Sequence, residues 1–232
     1  MDFIHRALWR DGRLLATYKD GHAHLAAYLD DYAFLADALL ELLQTRWRGR
    51  DLEFARALVQ VMVEQFMDRD GGGFFFTAAE HERLIHRSKT FNDESIPAGN
   101  GVAASVLTRL GYLLGKVLYL EAAERTLKAA WPLMRQYPQA HLTLLAALEE
   151  YQKPLKIVII RGPALEVHRW SRAIGRSYAP ARMVLPIPAD EPLPPAIAEK
   201  RAGPGTLAYL CTGTTCAAPM SGLAELEQAL GR

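Results

Sequence analysis

Two periodicities of apolar and polar positions run along the chain, and they exchange near Pro154. A first helix is expected over 30–46, and behind its opening Asp30-Asp31 a segment runs to about Thr45 in which only Asp37 and Glu41 break the apolar series, one helical turn apart on a single face. A helix this apolar around its circumference is surrounded by protein. Trp47-Arg48-Gly49-Arg50 turns the chain, and a second helix is expected from a capping Asp51 to about Met67, with Glu53, Arg56, Gln60 and Glu64 as its wet face. Asp70-Gly71-Gly72-Gly73 ends it. Phe74-Phe75-Phe76-Thr77 reads as a short strand paired with Arg83-Leu84-Ile85-His86-Arg87. A third helix of small and apolar residues follows over 100–114. A fourth, over 117–135, carries Glu121, Glu124, Arg125 and Lys128 outward, with a kink or split at Trp131-Pro132. A fifth opens at Pro138 and runs to about Tyr151. Mostly buried helices alternate with amphipathic ones, which predicts a mainly α fold: helical hairpins of a partial α/α toroid, with the inner-helix N-termini and the loops before them lining one end.

Upstream, Phe3–Trp9 resembles the last turns of a helix, Arg10-Asp11-Gly12-Arg13 a turn, and Leu14–Tyr18 an extended run closed by Lys19-Asp20-Gly21. So abrupt a start is expected of a fragment or shortened gene product, or of an arm packed on the helices. Beyond Pro154 the grammar becomes β-branched: a buried strand Lys156–Gly162, a helix over 164–177, a strand Met183–Ile187 ending near an edge at Pro186, a proline-rich loop, a short helix over 196–202, a strand Leu207–Cys211 and a closing helix over 221–230. This predicts a small parallel βαβαβ layer. The chain therefore divides into a helical domain, 1–152, and a small α/β subdomain, 153–232.

Composition narrows the classes. The chain has 232 residues, 50% of them hydrophobic, with net charge +1. A real core can form, but no basic excess exists to neutralise phosphates, so nucleic acid is not an expected partner. Arg46, Arg48 and Arg50 around Trp47 read as a solvated corner. No apolar run reaches the length of a membrane span, and Met1–Arg6 lacks a secretory pattern, which together place the expected location in the cytoplasm. Cys211 and Cys216 are separated by four residues, unlike the two-residue gap of thioredoxins, and no second Cys/His pair is close. No metal and no cofactor is expected. Two reduced thiols are the default reading, with a disulfide or redox pair as the alternative.

Candidate chemistry centres on carboxylates. Asp30 and Asp31 stand where the first buried helix begins, and Asp93 and Glu94 in the loop before the third helix. One carboxylate of the Asp30/Asp31 pair suits capping, since its oxygen accepts an orphan N–H and its charge favours the positive helix end, while Asp93 and Glu94 read otherwise as an ordinary polar loop. A surplus carboxylate suits sugar hydroxyls or acid/base catalysis. Asp30 is paired with Asp31, so one of them is surplus. If both loops border one cleft, the four carboxylates form a glycosidase-like layout. Tyr28 and Tyr32, with Phe34 and Phe74–Phe76, offer aromatic surface for stacking on a sugar, or core. Arg87 and Lys89, with His81 and His86, supply donors on the same side. Asn100 is expected to cap the third helix, with ligand binding as its alternative.

Four segments in order carry a family resemblance: Leu29-Asp30-Asp31-Tyr32-Ala33-Phe34, Gly72-Gly73-Phe74-Phe75-Phe76-Thr77, Pro97-Ala98-Gly99-Asn100-Gly101-Val102-Ala103-Ala104, and Cys211-Thr212-Gly213-Thr214-Thr215-Cys216-Ala217-Ala218-Pro219. Together they resemble the C-terminal part of the thioredoxin-domain-containing family that includes the spermatogenesis-associated proteins. The resemblance implies a six-hairpin α/α toroid, related to N-acylglucosamine 2-epimerases and six-hairpin glycosidases, followed by a small α/β tail. It also implies that the family's thioredoxin-like domain and first hairpins are not in this chain. Where the family usually has Pro-Ser-Gly-Asn-Ser, this chain has Pro97-Ala98-Gly99-Asn100-Gly101, without either hydroxyl. The expected function is that of a carbohydrate-binding or carbohydrate-processing domain acting on a sugar or sugar-like molecule. The alternatives are a non-catalytic scaffold, docking an N-terminal partner chain or another copy through an open toroid edge, and thiol-redox work through Cys211 and Cys216.

Overall fold

The computed structural model describes residues 1–82 and 84–231. The chain begins with helix α1 (Asp2–Ala7) and an antiparallel meander of β1 (Trp9–Arg10), β2 (Arg13–Lys19) and β3 (His22–Ala26). The last strand was not foreseen. Both turns of the meander are Asp-Gly pairs with positive φ at both residues, the backbone that matches strand twist in a two-residue hairpin. The meander packs as an arm: Leu14 is buried, and its N–H donates to the Tyr32 hydroxyl at 2.8 Å.

Five helices follow: α2 (Leu29–Thr45), α3 (Gly49–Val61), α4 (Gly99–Leu114), α5 (Val117–Gln136) and α6 (Leu142–Gln152). The most apolar of them, α2 and α4, lie side by side, with α6 against the other flank of α4; α3 packs on α2, and α5 packs on α4 and α6. The two polar interruptions of α2 have a structural reason. Arg109 of α4 pairs with Asp37 (3.2 Å) and Glu41 (3.2 Å) of α2 and with Glu150 of α6 (2.6 Å), so one guanidinium pins three helices. Burial pushes the Asp37 and Glu41 carboxyls up, against the downward pull of Arg109.

Several local expectations are corrected. Arg48, not Asp51, is the N-cap of α3; Asp51 sits buried in its first turn and pairs with Arg48 at 2.8 Å. Below Val61 the helix continues as one π-helical turn, Met62–Phe66. Pro132 does not split α5, because its ring lies on an exposed face in the last turns, where the missing hydrogen bond faces solvent. Pro138 opens a 3₁₀ turn, Pro138–Ala140, before α6. No strand forms over 74–77 or 84–87, and Arg83 lies outside the described residues. The Phe74–Phe76 backbone pairs with scattered partners instead of a ladder. The Phe75 N–H donates to the Phe66 carbonyl, the Phe76 N–H to the Ser88 carbonyl, and Phe74 binds the Asn100 side chain.

The C-terminal sheet has the order β5-β4-β6-β7, built from β4 (Lys156–Gly162), β5 (Arg182–Pro188), β6 (Leu207–Thr212) and β7 (Thr215–Cys216). Helix α7 (Ala164–Ile174) makes the β4–β5 crossover, and those strands are parallel, with Pro186 on an edge strand as expected. In contrast to the expected all-parallel layer, β6 runs antiparallel to β4. Only the 3₁₀ turn Pro195–Ile197, not a longer helix, lies between β5 and β6, so no crossover helix carries the chain back to the starting end of the sheet. One face of the sheet, including Ile157, Ile159, Leu185 and Ile187, joins the core built by α2, α3 and α4. The other face, with Val158, Ile160 and Val184, packs against α7 and α8 (Leu223–Ala229). The apolar core therefore runs unbroken from the helices into the sheet. Among the described residues no helix is long and apolar enough to cross a membrane.

Candidate functional site

A cavity of about 180 Å³ opens at the N-termini of α2 and α4. Asp30, Glu94, Asn92, Phe76, Thr90 and Gly99 are among the residues that line it. It stands where the two inner-helix ends meet the loop over 88–98, so Asp30 and Glu94 do border one cleft.

Each acidic pair divides its labour. Asp31 turns back on its own helix and accepts the Tyr28 N–H at 2.8 Å. Asp93 accepts the Ala98 N–H at 2.8 Å with one oxygen and the Thr143 N–H at 2.9 Å with the other, joining the starts of α4 and α6. Burial opposes ionisation of Asp93, but these backbone donors outweigh it and hold the carboxyl below its ordinary value. Asp31 and Asp93 are thus committed to helix ends.

Asp30 and Glu94 are the surplus members. Asp30 is half-buried, and its carboxyl is pushed up, first by burial and then by the charge of Asp31. Its Oδ1 rests against the Gly99 backbone, where any Cβ would overlap it. Glu94 is exposed at the rim, with an Asn92 contact at 3.3 Å. A carboxyl raised by burial, with a second carboxylate at the rim of the same cavity, is an arrangement suited to proton transfer.

The other expected ligand residues are placed differently. Tyr32 is 2% exposed, and its hydroxyl is taken by Leu14, so it is core. Tyr28 stacks on Phe76 with centroids 4.6 Å apart and planes 9° apart; Phe76 lines the cavity, and Tyr28 backs it from outside the lining. Asn100 is not the cap of α4: Ala98 is, and the Asn100 side chain lies 1% exposed inside. It accepts the Phe74 N–H (2.7 Å) and donates to the carbonyls of Phe74 (2.9 Å) and Thr90 (2.9 Å). Arg87 donates to the Thr77 carbonyl (2.6 Å) over the Phe75 ring. Lys89 pairs with Asp68 (2.7 Å) and the Gly72 carbonyl (2.8 Å), so both cations tie loops together. That pairing, with the Gly71 and Asp70 N–H groups, pulls the Asp68 carboxyl down to about 2. The cavity-lining Asn92 and Thr90 were missed, since loop residues carry no periodicity that marks their direction.

Cys211 and Cys216 face each other across β6 and β7 and are bonded as a disulfide, which corrects the reading of two reduced thiols. They lie in the sheet, apart from the residues that line the cavity.

The class defined by this geometry is a mainly helical protein with an acid-bearing cleft at the N-termini of α2 and α4 and a small α/β part. No protein-family model matches the chain. It is 28% identical over 212 residues to spermatogenesis-associated protein 20 of Homo sapiens, covering 88% of this chain and 27% of that protein. The rat protein of the same name matches at 28% over the same share of each. An uncharacterized protein of Caenorhabditis elegans is 27% identical over 215 residues, covering 90% of this chain and 29% of its own length. These similarities support the resemblance carried by the four motifs, and this chain spans just over a quarter of its curated relatives.

Proposed function

We propose that the chain is a sector of an α/α toroid that binds and processes a neutral carbohydrate-like molecule, with Asp30 as its acid/base and Glu94 as the second carboxylate. The observation that carries this is Asp30: it is half-buried, its carboxyl is raised by that burial, and unlike Asp31 and Asp93 it caps no helix end. Phe76, which lines the cavity and is held by its stack on Tyr28, supports an apolar face on the ligand. Ligand-observed NMR on the full chain with glucose, galactose, mannose and their N-acetylated forms tests the reading. At least one sugar binds, and Asp30→Asn weakens it by about 10- to 100-fold, the worth of a charged hydrogen bond. Absence of binding by all of them, or an unaffected Asp30→Asn variant, refutes it.

A thiol-redox role is the second reading, supported by the bonded state of Cys211 and Cys216. Thiol titration in glutathione buffers of graded ratio tests it. A midpoint inside the cellular range supports the role, and a disulfide unchanged across that range refutes it.

A further inference from the structure

Four buried polar atoms have no hydrogen-bond partner in one neighbourhood: Gln65 Oε1, Thr77 Oγ1, His81 Nδ1 and Arg87 Nε. The backbone binds their residues together. The Ala79 N–H donates to the Gln65 carbonyl at 2.7 Å, Arg87 Nη2 reaches the carbonyls of Thr77 (2.6 Å) and Gln65 (3.4 Å), and the His81 N–H donates to the Ala78 carbonyl. Thr77 is 5% exposed. An orphaned buried group is costly to leave unmade, and four gathered together are unusual where buried polar groups are nearly always paired.

Two further observations point the same way. Gln65 belongs to the π-helical turn Met62–Phe66, a distortion that re-aims side chains and recurs at functional sites. The His81 ring also lies 6.1 Å from Tyr28, whose other neighbour, Phe76, lines the Asp30 cavity. The group therefore connects to the cleft through His81, Tyr28 and Phe76 in turn.

We propose that Gln65, Thr77, His81 and Arg87 form an inner subsite for adjacent hydroxyl groups of a neutral polyol or sugar. The set of atoms selects that chemistry. Arg87 Nε can only donate, the Gln65 oxygen accepts, Thr77 Oγ1 does both, and His81 Nδ1 does either according to tautomer. A hydroxyl both donates and accepts, so a pair of adjacent hydroxyls satisfies the mixture. An anion would confront the Gln65 oxygen, and a cation would confront the guanidinium. The inference rests on the carbohydrate reading of the Asp30 cleft and extends that ligand past the Tyr28–Phe76 stack.

Glycerol, a small triol, is the probe. Crystals of the full chain are soaked in it and solved for the unaltered protein, Thr77→Val, Thr77→Ser and Asp30→Asn. The expected result is an ordered diol bonded to Thr77 Oγ1 and Arg87 Nε, lost in Thr77→Val, kept in Thr77→Ser and kept in Asp30→Asn. Water alone at the four atoms overturns the proposal, and so does glycerol that persists unchanged in Thr77→Val or is adventitious at the surface only. The outcomes separate the two readings. Glycerol at Thr77 with a cleft that binds no sugar removes the Asp30 function and leaves the subsite; sugar in the Asp30 cleft with water alone at Thr77 does the reverse.

Discussion

Replacing Asn100 with leucine, a side chain of similar size, tests whether its role is structural. Three hydrogen bonds vanish at once, and two of them leave the N–H and C=O of Phe74, a residue 0% exposed, without partners. The Thr90 carbonyl is on an exposed residue and can turn to water. At about 1–3 kcal/mol for each orphaned buried group, the loss comes to about 2–6 kcal/mol. That is a large part of the roughly 5–15 kcal/mol typical of a folded domain. In a chain of this length it corresponds to a fall in Tm of roughly 5–20 °C. Urea unfolding followed by far-UV circular dichroism reads it as a lower midpoint with an unchanged slope. A change under about 1 kcal/mol, with sugar binding lost instead, would refute the clamp and return Asn100 to the ligand.

Three further outcomes follow from the same geometry. Because burial raises the Asp30 carboxyl, the folded state holds that proton more tightly than the unfolded chain, and stability falls as pH rises from about 3.9 through the folded value. Asp30→Asn therefore raises Tm at pH 7, and calorimetry at pH 3 shows the gain gone; an equal gain at both would contradict the burial argument. Gly99→Ala places a methyl group where Asp30 Oδ1 lies, which costs about 1–3 kcal/mol by overpacking and displaces the acid, so sugar binding and thermal stability both drop. Lys89→Met removes the main cause that holds Asp68 at about 2. The Asp68 contribution is present above about pH 3.9 and fades as pH falls through 2. The variant loses about 1 kcal/mol at pH 7, after allowing for partial solvent screening, and differs least from the parent at pH 2 in acid titrations followed by fluorescence.

What could be read in advance is what periodicity and local chemistry encode. The apolar circumference of 29–45 placed α2 inside, and the polar recurrence Glu53, Arg56, Gln60 placed one face of α3 outside. The adjacent acids Asp30 and Asp31 at the start of α2 announced that one of them would cap, though not which, and the capping role of Asp93 was not read. That choice depends on where the neighbouring N–H groups of Tyr28, Ala98 and Thr143 arrive, a tertiary fact. The same limit hid the roles of Asn100, Arg87 and Lys89, whose partners are backbone carbonyls far along the chain or in irregular loops. Phe74–Phe76 has the composition of a strand, but its antiparallel neighbour beside the π turn offers a single bridge, Met67 to Phe74, before the chain turns away. The direction of β6 was misread because alternation of strand and helix was extended over a proline-rich loop that contains no crossover helix.

The π-helical turn at Met62–Phe66 has a consequence for changes in chain length. Such a turn holds one residue more than regular α geometry needs, so a single deletion within it could be absorbed with every backbone hydrogen bond remade. Because the extra residue is taken up within the widened turn, the side chains before and after it would keep the faces they now present. Phe66, which is 1% exposed, would stay in the core, and only the widening of the helix itself would be lost. The tract is therefore where a frame-preserving loss of one codon could spare both the helix and the core that it packs.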